Sequence, residues 1–219
     1  MKHLMTLGAA AAALLVSAGA AGAQTTTEFQ PSGKGTFIVD LRVSDVSPDT
    51  SASIKTAAGV ASGLHVNVSD SVMPTLGFVY FVTDNISVEA ILGTTQHTIK
   101  AVGPGTDLQV HKTWVLPPVV TLQYHFMPKA RFSPYVGAGV NYMIFYGGKK
   151  ENAFSVRLKD GFGGAVQVGA DYALTGRWIA NLDVKKVFFT TDAVINGGAL
   201  KSSVDLNPWV YSIGIGRKF

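Results

Sequence analysis

The chain has 219 residues, no cysteine, 18 Lys and Arg against 14 Asp and Glu, and a formal charge of +4. That charge excess is too small to argue for a nucleic-acid partner, and without cysteine an exported chain cannot be stapled by disulfides. Only 15% of residues are charged and mean hydropathy is +0.26, yet beyond the N-terminus no apolar run is long enough for a membrane helix.

The N-terminus begins with Lys2 and His3, an apolar run from Leu4 to Val16, and small residues ending at Ala21, Gly22 and Ala23. This order predicts a signal peptide over residues 1–23, cleaved before Gln24; the run is shorter than the roughly 20 residues a helical span needs. The expected remainder is a short periplasmic segment, 24–33, followed by one domain over 34–219. A greasy exported chain without membrane helices has one common solution, the transmembrane β-barrel.

Period-two alternation runs through almost the whole chain. It predicts strands over Lys34–Val46, Ser71–Thr83, Ile86–Thr98, Thr113–Phe126, Ser133–Tyr146, Phe162–Leu174, Trp178–Thr191 and Val204–Phe219. The connections around 84–85, 127–132 and 175–177 are short. Those at 47–70, 99–112, 147–161 and 192–203 are long and rich in Gly, Ser, Thr and Lys, and read as loops. The expectation is an all-β, eight-stranded antiparallel barrel in the outer membrane of a Gram-negative cell, with periplasmic turns and extracellular loops. A soluble lipocalin-like barrel would share the period, so aromatic placement discriminates. Tyr80, Tyr124, Phe126, Tyr172, Trp178 and Phe219 lie by the short turns, and Trp114, Phe188, Trp209 and Tyr211 near the long loops, as two interfacial belts require. Contact with outer-membrane lipid and lipopolysaccharide follows.

In the last stretch, "NPWVYSIGIGRKF", Trp209, Tyr211, Ile213, Ile215 and Phe219 form the lipid-facing set. The terminal Phe219 resembles the carboxy-terminal signal that barrel-assembly machinery reads. Arg217 departs from that pattern, standing outward where an apolar residue is usual.

Inward parity yields a polar set and an apolar set. Asp40, Arg42, Glu89, Gln123, Asp171, Asp183 and Lys185 are expected to plug the lumen. Arg42 and Lys185 should pair with Glu89, Asp40, Asp171 or Asp183, because buried charges need partners. Ile91, Val119, Ile179 and Phe81 are the candidate apolar lining. Pro117 and Pro118 lack N–H donors and do not belong inside a paired strand, so they mark either a bulge at the rim or a local gap where a solute leaves sideways. HExxH, Walker, GxSxG and paired-cysteine patterns are absent, so no enzyme activity, cofactor or metal is expected.

The segments "RFSPYVGAGVNY", "TDNISVE" (83–89), "WVLPPVVTLQYHF" (114–126), "AVQVGADY" (165–172) and "LNPWVYSIGIGRKF" (206–219) resemble the OmpW family along nearly the whole mature chain. The resemblance implies an eight-stranded barrel with a narrow, partly apolar lumen that helps small hydrophobic molecules cross the outer membrane. Relatives linked to alkane uptake and a wall opening between strands belong to that implication. The expected role is therefore passive passage of small hydrophobic solutes, against a structural, adhesive or receptor-type barrel without transport.

Overall fold

The computed structural model describes residues 28–50, 52–56, 58–150 and 155–219. The expected signal peptide, 1–23, and residues 24–27 lie outside the described residues. Eight strands close on themselves: β1 (Phe37–Ser47), β4 (Ser71–Phe81), β5 (Ile86–Gly93), β8 (Val119–His125), β9 (Phe132–Lys150), β11 (Gly161–Ala173), β12 (Trp178–Phe188) and β15 (Trp209–Lys218). Each pairs antiparallel with the next, and β15 returns to β1 with Ile38 opposite Lys218 and Ser47 opposite Trp209. Closure removes both sheet edges, the condition for a sheet to sit in hydrocarbon.

The faces follow the alternation. On β12, Trp178, Leu182 and Phe188 are exposed while Ile179, Asn181, Asp183, Lys185 and Val187 are buried. Outward aromatics gather at two heights, with Trp178 and Phe188 marking them on this strand. Between those two residues the strand rises roughly 33 Å, which a tilt of roughly 40° projects to roughly 25 Å, the height of an outer-membrane apolar band. At the terminus Phe219 is exposed, and Arg217 lies over the rings of Trp178 and Phe219 at 5.8 and 5.4 Å. An outward arginine there keeps its charge at the interface while its stem and guanidinium cover aromatic surface.

The stretches read as loops from their composition are largely strand. β2 (Ser53–Thr56) and β3 (Ala61–Val68) occupy the first, and β6 (Thr95–Gly103) and β7 (Thr106–Leu116) the second. β9 runs on to Lys150 with β10 (Val156–Leu158) after it, and β13 (Thr190–Ile195) and β14 (Leu200–Asp205) fill the last. The order β10-β13-β14-β2-β3-β6-β7-β9 carries the wall above the membrane. The physical reason is a reversal of sides. In the membrane the outward positions are apolar and the inward ones polar. On β6 the inward Ile99 and Ala101 are apolar and the outward Gln96, Thr98 and Lys100 polar, so the same period builds a wall that faces water.

At the other end, the described part of the N-terminal segment lies across the turns. Gln30 N donates to Gly176 O at 3.0 Å, Ser32 N to Pro128 O at 3.0 Å, and Gly35 N to Phe81 O at 2.9 Å. Lys218 Nζ donates to Gln30 O at 2.6 Å.

Glycines make the interior fit. Gly77 faces Asp40, Gly214 faces Arg42, Gly169 faces Tyr135 and Gly137 faces Gln167 across adjacent strands. A Cβ at Gly169 would run into the Tyr135 ring, and one at Gly77 into the Asp40 carboxylate. Gly169→Val should therefore destabilise the folded barrel by about 1–3 kcal/mol through overpacking. Urea titration of the heat-modifiable folded band is the measurement, and Val168→Ile on the lipid side should leave it unchanged.

Candidate functional site

The lumen is built in three levels. The middle one is an ion network across five strands. Arg42 on β1 donates through Nε to Asp40 Oδ1 at 2.6 Å and through Nη2 to Asp40 Oδ2 at 2.9 Å and Glu89 Oε1 at 2.7 Å. Lys185 on β12 contacts Glu89 Oε2 at 3.0 Å and also bonds Asp183. Thr121 on β8 donates to the same Glu89 oxygen at 3.3 Å, and Tyr135 on β9 donates its hydroxyl to Asp183 at 2.8 Å. Glu89 is thus held by two cations, Arg42 from two strands along the wall and Lys185 from across the lumen. Of the four carboxylates expected as partners, the two cations take Asp40, Glu89 and Asp183; Asp171 makes no ion pair among the described residues and accepts from Asn181 Nδ2 at 2.7 Å. An amide one strand away is nearer than either cation, both of which Glu89 draws to the centre.

Below the network lies a small apolar cluster of Ile38, Val79, Phe81 and Ile179, with Phe81 against the His125 ring at 4.6 Å. Gln123 sits at this lower level, where it accepts from Ser87 Oγ at 2.8 Å and lies 3.2 Å from His125 Nε2. A small void of about 10 Å³ lies between the cluster and the network.

Above the network is a chamber of about 1250 Å³, its open mouth included. Its floor is Lys185 with the hydroxyls of Ser44, Thr75 and Ser212, Ser44 Oγ lying 2.8 Å from each of the other two. Its sides are apolar: Ile91, Val119, Val115, Met143 and Val187 at membrane height, then Ile54, Ile99, Val110 and Ile195 above. The four residues proposed as one apolar lining are therefore divided. Ile91 and Val119 face the chamber, while Phe81 and Ile179 lie beneath the ion network, because parity assigns a face and says nothing about height. The upper lining went unread because its residues fall in stretches taken for loops; the alternation Leu64, Val66, Val68 and Ile99, Ala101 was the signal available.

The wall beside the chamber is incompletely laced. The β7–β9 and β8–β9 ladders share one register, which sets Pro118 opposite Tyr142 and Pro117 opposite Met143. Tyr142 N donates to Pro118 O at 3.0 Å, but Pro118 has no N–H to return, and Pro117 has none to offer toward β5 and β6. One strand further, the β4–β5 ladder stops at Thr75 and Gly93, and pairing resumes only where Ser69 N donates to Thr98 O at 3.0 Å. Among the described residues no backbone pairing joins Val72–Pro74 to Thr94–His97.

A closed eight-stranded barrel with lipid-facing belts, a charged interior and an apolar outer chamber defines an integral outer-membrane protein. The chain belongs to the OmpW family, whose model matches residues 33–219. It is 38% identical over 222 residues to the uncharacterized outer-membrane protein y4mB of Sinorhizobium fredii, covering 96% of this chain and 95% of that one. It is 32% identical over 183 residues to the dibenzothiophene metabolism operon protein PahQ of Pseudomonas aeruginosa, covering 82% and 86%. The crystal structure of the outer membrane protein OprG from Pseudomonas aeruginosa superposes with a TM-score of 0.82 at 32% identity, over 88% of this chain and 99% of that one. The solid-state NMR structure of the outer membrane protein AlkL in lipid bilayers gives 0.65 at 26%, over 91% and 97%.

Two outcomes follow from this geometry. Removing Glu89 leaves Lys185 and Arg42 facing each other with one carboxylate fewer, and Glu89→Ala should cost about 3–5 kcal/mol in urea unfolding of the refolded barrel. In the extracellular wall, His97 is buried with Nδ1 2.7 Å from Ser69 O, and burial pushes its imidazole below the ordinary value of 6.5, against the opposing pull of Ser69 and Asp70. The folded wall then binds fewer protons than the unfolded one, so its stability falls as pH drops below about 6.5. Amide protection over 95–103 should decrease between pH 7.5 and pH 5, and His97→Asn should remove most of that difference.

Proposed function

We propose that the barrel is a passive conduit that takes small hydrophobic molecules into the extracellular chamber and releases them sideways into the membrane. The carrying observation is the contrast between the two halves of the lumen, an apolar chamber standing on a floor of buried, mutually paired charges. An apolar solute gains roughly 0.8 kcal/mol for each CH₂ it withdraws from water, so it partitions into the chamber unaided. The same solute would have to strip Glu89 of its cations to go straight through, which costs several kcal/mol. The cheaper route is the under-laced wall, bounded by Pro117 and Pro118 on one side and by Pro74 and Thr94 on the other. A relative named for a dibenzothiophene metabolism operon fits this solute class, since a fused aromatic heterocycle is small, flat and apolar.

Ile91→Arg places a charge in the chamber wall, and Pro117→Val with Pro118→Thr restores donors to the ladder. Each should slow uptake of a hydrophobic solute several-fold at unchanged barrel abundance, measured in a deletion strain complemented with each variant. Transport like wild type in both would leave the structural or receptor-type barrel as the better reading. Phe219 is proposed to serve assembly: its deletion should lower folded yield in cells far more than in detergent refolding, where nothing reads a signal. Equal loss in both settings would make it an anchor only.

A further inference from the structure

On the outer wall just above the membrane, β9 carries a bulge. Trp114 pairs with Tyr146, but Lys112, two residues further along β7, pairs with Lys149. The extra residue is accommodated at Gly147, whose φ of +60° is open to glycine and strained for other residues. Continued alternation from the outward Tyr146 would turn Lys149 into the chamber; the bulge turns it out instead. Gly148 confirms the phase, since a Cβ there would meet the inward ring of His111. Lys112 shares the outward parity of Trp114, so two lysines stand directly opposite each other on the exterior.

Facing like charges are unfavourable in an antiparallel pair. Neither ammonium has an anionic partner among the described residues. Lys186 also sits at the outer aromatic belt, 4.7 Å over the Trp209 ring, but it reaches Asp49 at 3.3 Å and the Asn207 carbonyl at 2.7 Å. Among the described residues Lys112 and Lys149 have no such internal neutralisation. Directly beneath them Trp114 and Tyr146 stack at 6.4 Å and 23°, and Tyr146 is fixed by a hydroxyl contact to Thr94. Beside them on β6, Gln96 opposite Trp114 and Thr98 opposite Lys112 add outward polar groups.

We propose that Lys112 and Lys149, over the Trp114–Tyr146 platform, bind the phosphorylated sugar headgroup of an outer-leaflet glycolipid. The height selects this occupant. Two residues above an aromatic belt is roughly 7 Å along the strand, which is where headgroup phosphates lie and acyl chains do not. The chemistry agrees, because two lysines opposite each other suit a phosphate dianion, and a flat aromatic pair below suits the apolar face of an amino-sugar ring. The likeness to a generic basic surface ends with the bulge, which spends a register shift to bring the second lysine out.

The test uses the full mature chain refolded in mild detergent, titrated with bisphosphorylated lipid A by thermophoresis. Lys112→Gln with Lys149→Gln should weaken binding about tenfold or more, as loss of two cations at an anionic lipid surface requires. Lys112→Arg with Lys149→Arg should retain it. Lys55 and Lys201 also face each other, but high on the extracellular tip, and their double Gln variant should bind as wild type. Dephosphorylated lipid A should bind wild type as weakly as bisphosphorylated lipid A binds the Gln variant. Undiminished binding by the Lys112/Lys149 Gln variant overturns the proposal. So does equal competition by inorganic phosphate alone, which would make the site one for free anions, or by phosphatidylglycerol micelles, which would make it an unselective basic surface. All variants must show the heat-modifiable band, which Gln at the exposed Lys149 and the half-buried, outward Lys112 should leave intact.

Discussion

Everything in the lumen is arranged around one carboxylate. Glu89 takes Arg42 on one oxygen and Lys185 on the other, so it ties β5 to β1 and β12 across the interior rather than along the wall. An ion removed from water costs several kcal/mol, which Coulomb attraction repays only when the remaining hydrogen bonds are also met. The second partners meet most of them: Asp40 on Arg42, Asp183 on Lys185, Thr121 on Glu89, Tyr135 on Asp183. Because these charges are paired with one another, the network divides the lumen, and an apolar chamber stands above it instead of a continuous aqueous channel.

That network needs room a barrel of eight strands barely has. The large side chains obtain it from the glycines opposite them. Gly77, Gly214, Gly169 and Gly137 are less about backbone freedom than about vacated volume. The Gly-rich strands and the buried charges are therefore two descriptions of one packing solution, in which a long polar side chain occupies its neighbour's place as well as its own.

The eight spanning strands were legible because lipid on one side and a polar lumen on the other make period two unmistakable from Val39 to Val43 and from Val166 to Tyr172. The inward set was legible for the same reason. What could not be read was vertical position: Ile179 and Phe81 have the parity of Ile91 and Val119 and belong to a different level. The extracellular wall was misread as loops because its outward face is Thr, Lys, Gln and Ser, the composition of a loop, while the alternation persisted with its sides exchanged. The lysine pair was hidden by the bulge at Gly147, since a one-residue insertion changes the face of every position after it and leaves no mark in composition.

The seam between β1 and β15 carries a consequence for how such a chain acquires its shape. Phe37 and Phe219 exchange backbone hydrogen bonds, 3.3 Å from Phe37 N to Phe219 O and 2.7 Å in return, at opposite ends of the domain. Ile38 meets Lys218, so the pairing that completes the cylinder has the greatest loop to close. Made from the amino end, the polypeptide holds seven strands with two open edges until its final residues arrive. Topology of this kind folds slowly and exposes sticky surface meanwhile. Escort through the aqueous periplasm is then a demand of the last hydrogen bond, set by geometry before any machinery is considered.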